Sequence, residues 1–249
     1  MNEEAQKPVV NLPAKDLPIE PITLHEVEEE IQKRVSLIDK EFNRGFDFIK
    51  DQPKTVTFFG SSRFTEDNEH YQTARRLAHR LSSLGYSIVT GGGPGIMEGA
   101  NRGAFEAEGR SLGLTIKLAN EQVRNPYLTD TVEFYYFFTR KVMLSFSAEA
   151  YVFFPGGLGT FDELFEILTL VQTNKIEKVP VILIGGEFWK ALDSFMHEQM
   201  FAKNKAIDET DIQLYTIVDN EDEIVKIIQE VPIRVGVRFN HSRYGESPE

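Results

Sequence analysis

The chain has 249 residues, 27 Lys and Arg against 39 Asp and Glu, a formal net charge of −12, and no Cys. Without thiols there can be no disulfide framework, no thiolate-bound zinc or iron–sulfur centre and no Cys nucleophile. The acidic balance speaks against nucleic acid or anionic lipid as a partner, so any attraction for a phosphate must be local. No apolar run approaches the roughly 18 residues that cross a bilayer, and residues 1–13 offer neither a basic nor an apolar leader region. No membrane association and a cytoplasmic location are expected.

Residues 1–22 hold four of the eleven Pro (Pro8, Pro13, Pro18, Pro21) among polar residues and read as a weakly ordered arm. Over 23–50 the apolar residues Ile31, Val35, Ile38, Phe42, Phe46 and Ile49 recur at three- and four-residue steps, an amphipathic helix that packs on the main domain or on a second subunit. The main domain is expected over 51–232. There TVTFFG ends at Gly60, a helix runs from about Asp67 to Leu84, and YSIVT ends at Gly91. A helical GIMEGANRGAFEAEG, strand-like SLGLTIKL and VEFYYFF, a helix over TRKVMLSFSA and the apolar run AYVFFP follow. After a helix from Thr160 to about Asn174 come PVILIG, a helix near Phe188–Met200, LYTIVD and a helix over 221–230. Runs apolar on both faces that alternate with helices predict a parallel sheet covered on both sides, a doubly wound α/β fold. Residues 233–249 read as a polar tail.

In such a sheet, ligands collect where strands end and helices begin. Three of these turns are rich in Gly or Ser: Gly60-Ser61-Ser62-Arg63, Gly91-Gly92-Gly93-Pro94-Gly95, and Pro155-Gly156-Gly157-Leu158-Gly159-Thr160. The third offers unobstructed backbone N–H groups and a Thr hydroxyl at a helix start, which suits a phosphate. The spacing of Thr160 and Glu163 equally fits a capping box. With phosphate in the loop, Asp162 and Glu163, read as first-turn residues, would face the group that the phosphate is attached to. The second turn departs from the G-x-G-x-x-G dinucleotide fingerprint, which belongs at the first strand-to-helix turn. Its glycines still allow close approach of a ligand, and Met97 is either core or a polarizable surface for a base. Glu98 and Arg102, four apart, read as a helix-surface pair. Arg140 and Lys141 follow the aromatic run and open a helix, where cations oppose the macrodipole, a local anomaly of the kind that often marks function. His25, His70, His79, His197 and His241 are scattered, and there is no G-x-x-x-x-G-K-[ST], H-E-x-x-H or G-x-S-x-G, so no catalytic metal is expected.

These residues resemble the Lonely Guy (LOG) family, cytokinin riboside 5′-monophosphate phosphoribohydrolases long labelled "possible lysine decarboxylase". The resemblance rests on PGGLGTFDE at 155–163, which fits PGGxGTxxE, on GGGPGIMEGANRGA at 91–104, on TRK at 139–141 and on FGSSR at 59–63, and covers about 54–230. It implies a Rossmann-like fold, at least a homodimer, and hydrolysis of a nucleoside 5′-monophosphate to free base and ribose 5-phosphate without a cofactor. The family's catalytic pair falls on Arg140 and Glu163. Its phosphate loop falls on Gly156, Gly157, Gly159 and Thr160, with Lys141 and Ser61 as ligand contacts and Gly92, Gly93 and Met97 lining the nucleotide. Glu98 stands where the short members have Gly, which leaves the base open. A carrier of nucleotide or molybdenum cofactor on the same loops is the alternative. Lysine decarboxylation would need pyridoxal phosphate on a Schiff-base lysine, and neither Lys117 nor Lys141 lies in such a motif.

Overall fold

The structure, a computed structural model, describes residues 23–52, 54–117, 124–146 and 148–232. The arm and the tail therefore lie outside the described residues. The strands β1 (Thr55–Phe59), β2 (Ser87–Thr90), β3 (Ser111–Ile116), β4 (Asp130–Phe134), β5 (Ala150–Phe153), β6 (Val181–Leu183) and β7 (Thr216–Ile217) form one sheet. Their order is β4-β3-β2-β1-β5-β6-β7, and every neighbouring pair is parallel. This is the doubly wound α/β, Rossmann-like architecture expected from the alternation of apolar runs and helices.

Helices cover both faces, so the central strands are buried throughout; all five residues of β1 are buried, Thr55 and Thr57 included. Val56, Phe58 and Ile88 meet α2 (Glu69–Ser83), α3 (Ile96–Glu106) and α7 (Glu221–Gln229). Phe59, Val89 and Leu114 meet α4 (Phe137–Phe146), α5 (Leu158–Gln172) and α6 (Gly186–Phe195). On this second face Trp189 of α6 is fully buried, donates Nε1–H to the Ile184 carbonyl at 3.0 Å and lies 5.4 Å from the Phe161 ring. Full burial of a ring this size contributes about 2–3 kcal/mol.

By its contacts the chain divides after Leu37. In the first unit the described stretch is the start of α1 (Leu24–Lys50), with Leu24, Ile31 and Val35 exposed. The rest of α1 belongs to the sheet-bearing unit, where Phe42, Phe46 and Ile49 join the core beside α4 and α5. Gly45 lets that part of α1 approach α4 closely, because a Cβ there would stand 2.6 Å from Met143 Cγ.

Expected boundaries move around Tyr135 and Tyr136. The run VEFYYFF is not one strand: β4 stops at Phe134, and Phe137 and Phe138 form the first turn of α4. Arg140 is then the fourth residue of that helix rather than its opening residue, at the end of the first turn, where a cation opposes the macrodipole less. Among the described residues no helix is long and apolar enough to cross a membrane.

Candidate active site

The order of the sheet puts the site between strands that leave β1 in opposite directions. The chain moves outward from β1 through β2 to β4 and then returns to β5 on the other flank, so the turns after β1 and β5 border the switch point. Hydrogen bonds tie the three Gly-rich turns into one rim. Ser61 N–H donates to the Pro155 carbonyl at 3.0 Å, and Ile96 N–H donates to the Ser61 carbonyl at 3.0 Å. Ser61 Oγ also accepts from Arg63 N–H at 3.1 Å, which shapes the first turn. Gly95, at φ +74, begins α3 against Ser61 and Ser62, where any Cβ would overlap their backbone.

The third turn explains its glycines in two ways. At Gly156 a Cβ would run into the Thr160 side chain, which is buried under the turn, so glycine is needed for packing. At Gly157 and Gly159 a Cβ would meet nothing within 4 Å, and Gly157 has an ordinary φ of −94. The fold does not require glycine at those two positions, but a ligand held against the backbone would. Gly157 is the N-cap of α5, with no side-chain cap, so Thr160 and Glu163 form no capping box. The amides of Leu158 and Gly159 occupy the first two helical positions, where a helix supplies no acceptor of its own. Because α5 begins at Leu158, Asp162 and Glu163 stand in its second turn, beyond the anion-binding end.

Glu163 is the most perturbed carboxyl of the region. Burial pushes its pKa up to about 7, against the downward pull of Lys141 and Arg140 and with a further push from Glu166 and Asp162. Its Oε2 is buried with no hydrogen-bond partner among the described residues, an arrangement that costs energy unless a ligand group meets it. Arg140 donates Nε–H to the Leu114 carbonyl of β3 at 2.7 Å. Its guanidinium lies where a Cβ of Gly91 would be, and Met97 Sδ stands 2.9 Å from that same point. The first glycine of the second turn therefore makes room for the cation and for Met97. Burial draws the Arg140 pKa down and Glu163 opposes this, but a guanidinium stays protonated.

Lys141 does not reach into the ligand space as a free contact. Its Nζ is 2.8 Å from Asp162 Oδ2 and 2.8 Å from Glu166 Oε2, and those two carboxylates bracket Glu163 on α5. Burial would lower its pKa, but the two partners outweigh that and raise it.

Several residues of the site gave little sequence signal. The second turn is held by a buried amide network: Asn125 donates N–H to Gly92 O at 3.0 Å and Nδ2–H to Gly93 O at 3.0 Å and to Asn101 Oδ1 at 2.9 Å. Asn101 also accepts from the Thr90 hydroxyl at 2.6 Å and donates to Ser111 Oγ at 2.9 Å. Gly92, at φ +70, donates N–H to Thr90 Oγ1 at 2.8 Å. The available clue was an Asn on the otherwise small and apolar face Ile96, Ala100, Ala104. The expected pair of Glu98 with Arg102 does not form. Glu98 accepts from the Tyr71 hydroxyl at 3.1 Å, while Arg102 reaches Glu66 at 2.6 Å and Glu106 at 3.0 Å.

A second cleft, of about 430 Å³, is lined by Arg75, Arg76 and Arg80 of α2. Glu106, Glu221 and Asp222 already occupy all three guanidinium groups at 2.6–2.9 Å, so that cleft offers an anion little. Among the described residues no cluster of three or more His, Asp or Glu could hold a metal ion.

Comparison with known proteins places the same segments in context. A family model described as possible lysine decarboxylase matches residues 97–228. Cytokinin riboside 5′-monophosphate phosphoribohydrolase LOG2 of Arabidopsis thaliana is 27% identical over 184 residues, 71% of this chain and 83% of that protein. Pyrimidine/purine nucleotide 5′-monophosphate nucleosidase of Escherichia coli K12 is 27% identical over 162 residues, 59% of this chain but 35% of that longer enzyme. Of the solved structures, TM1055, a structural-genomics target, superimposes with a TM-score of 0.54 at 26% identity, over 72% of this chain and 99% of its own. The molybdenum cofactor carrier protein of Chlamydomonas reinhardtii does so with a TM-score of 0.53 at 18% identity, over 72% and 98%. At that identity the likeness is one of fold.

Proposed function

This chain belongs to the LOG family, whose model carries the description possible lysine decarboxylase, and from that membership we propose that it hydrolyses the N-glycosidic bond of a nucleoside 5′-monophosphate. The products are free base and ribose 5-phosphate. The observation that carries the reading is the pairing of an open, glycine-lined helix start at 157–159 with a buried, hydrogen-bond-deficient carboxylate at Glu163. Five helical steps carry Leu158 to Glu163, about 7.5 Å along the axis, a span suited to a ribose with its phosphate at one end.

In this mechanism the phosphate binds to the amides of 157–159 and the Thr160 turn, remote from the bond that breaks, and its binding energy holds C1′ in place. Gly92, Gly93 and Met97 line the nucleotide, and Ser61 closes the rim. As the bond from C1′ to the base lengthens, its electron pair leaves with the base, which takes up a proton from solvent; positive charge develops on the ribose, the Glu163 carboxylate opposes it where it forms, and water adds to C1′ and loses its proton to solvent. Arg140 orients Glu163 toward the ribose and keeps it ionised, while Lys141 anchors the two acids beside it. The names of the relatives support nucleoside monophosphates as the substrate class, with both purine and pyrimidine bases represented. The same reading has the enzyme working without a cofactor, in the cytoplasm, as a homodimer or larger assembly. Light scattering on the purified chain checks the assembly.

The direct test incubates the protein with a panel of nucleoside monophosphates and the matching nucleosides and measures freed base. Phosphorylated forms should be strongly preferred. Glu163→Gln should keep AMP binding near wild type and lower adenine release about a hundredfold or more, the scale of one lost electrostatic group. Retained turnover in that variant removes Glu163 from the mechanism.

A further inference from the structure

The helix that carries Arg140 has no capping residue of its own. The residues that lead into α4 are Tyr135 and Tyr136, neither of which has a short side-chain acceptor for the exposed amides of a helix start. Glu41 of α1 instead binds the amides of these two residues, which lie immediately before the helix. Glu41, buried on the face of α1 that meets the core, takes Tyr135 N–H on Oε1 at 2.6 Å and Tyr136 N–H on Oε2 at 3.3 Å. The buried Thr139 hydroxyl lies 2.7 Å from the same Oε2 and 2.8 Å from the Tyr136 carbonyl. One carboxylate thus meets the backbone and a side chain of three of the five residues from 135 to 139, and it brings negative charge to the positive end of the helix.

Two further contacts fix the same join. Arg44 donates Nη2–H to the Glu133 carbonyl at the end of β4, and Gly45 lies against Met143 one helical turn beyond Arg140. Glu41, Arg44 and Gly45 all lie outside residues 97–228, the stretch that the family model matches.

We propose that Glu41 is a positioning residue for the reaction: by capping α4 from α1 it sets the register of Arg140 against Glu163. The step from capping to turnover rests on the hydrolytic reading above; the capping itself does not. Arg140 follows Thr139 directly, and its amide bonds back to the Tyr136 carbonyl at 3.3 Å, so a loosened first turn displaces its guanidinium from Gly91 and Leu114. The phosphate loop begins a different helix, α5, and is not touched by Glu41.

The test compares Glu41→Ala and Glu41→Gln with wild type in the full chain by amide hydrogen exchange, AMP affinity and turnover. Exchange at 135–141 should speed up about tenfold in Glu41→Ala, the scale of a lost cap, with the amides of α5 unchanged. Turnover should fall roughly ten- to a hundredfold, while AMP affinity stays within about threefold, because misplacement of a reacting group costs rate more than binding. Glu41→Gln, which keeps an acceptor, should recover part of both losses. Unchanged exchange at 135–141 in Glu41→Ala overturns the capping. Faster exchange with wild-type turnover, or a loss of AMP affinity equal to the loss of rate, overturns the positioning role. If Glu41→Ala does not fold, Glu41→Gln decides between the same outcomes. A wild-type chain that frees no base defeats the hydrolytic reading, and the exchange pattern then decides the capping alone.

Discussion

At Glu163 the stability of the fold and the needs of the reaction pull in opposite directions. An acid that opposes positive charge must be ionised, and burial holds this one at about 7, so kcat/KM should climb as pH rises through that value. For stability the sign reverses. The carboxyl titrates near 4.5 when unfolded and near 7 when folded, so its contribution is fully present below 4.5 and is lost as pH rises through 7. The ionised form therefore costs up to about 3 kcal/mol at pH 8. Glu163→Gln should raise Tm at pH 8 and leave it unchanged near pH 4; equal melting temperatures at pH 8 would mean that the acid titrates normally in the fold. Lys141→Met removes the leading charge that pulls the Glu163 pKa down and strands Asp162 and Glu166 beside it. The acid limb of the rate profile should then move to higher pH.

Helix starts decide how this site works. In the sequence the glycines at 157 and 159 suggest a phosphate loop, because side-chain-free residues at the head of a helix have few other uses. Their surroundings sharpen the point: Gly156 is required by packing under its own turn, whereas Gly157 and Gly159 face open space. Gly159→Ala, at a helical position, should stabilise the fold by a few tenths to about 1 kcal/mol in thermal melts and yet weaken AMP binding. Tighter or equal binding would argue against contact between ligand and that backbone. The alternating apolar runs were legible too, since buried parallel strands leave a continuous signal. What sequence could not supply is the partner of each cap. A start at Phe137 depends on Glu41, 96 positions earlier than Phe137, and local propensity has no access to such a contact. The misread pairs have the same cause. Glu98 and Arg102 have i, i+4 spacing, but Tyr71 and Glu66 from elsewhere and Glu106 one turn further along α3 outcompete it, and the capping-box spacing of Thr160 and Glu163 is idle because Gly157 is the N-cap.

Across the whole molecule the excess of acid sets the approach of a charged substrate. A net charge of −12 repels a nucleoside monophosphate over the distance of the Debye length, about 30 Å at 10 mM salt and about 8 Å at 0.15 M. The attraction at the head of α5 and from Arg140 acts at contact range. Raising salt between those limits should therefore increase kcat/KM for AMP; a steady fall would point to a basic approach path that the −12 total conceals. From the sequence, the doubly wound topology pointed only to strand-to-helix turns for a candidate site; the switch point beside β1 comes from the strand order of the structure.

The chain also contains its own optical probe. Trp189 is the single indole of the sequence, shielded from water, with its ring against Phe161, the residue that follows Thr160. Emission excited at the red edge of protein absorbance thus reports on one place, the underside of the turn that would take the phosphate. Titration with AMP should change its intensity or wavelength without any label, and stopped-flow recording of that signal would time substrate arrival separately from bond cleavage.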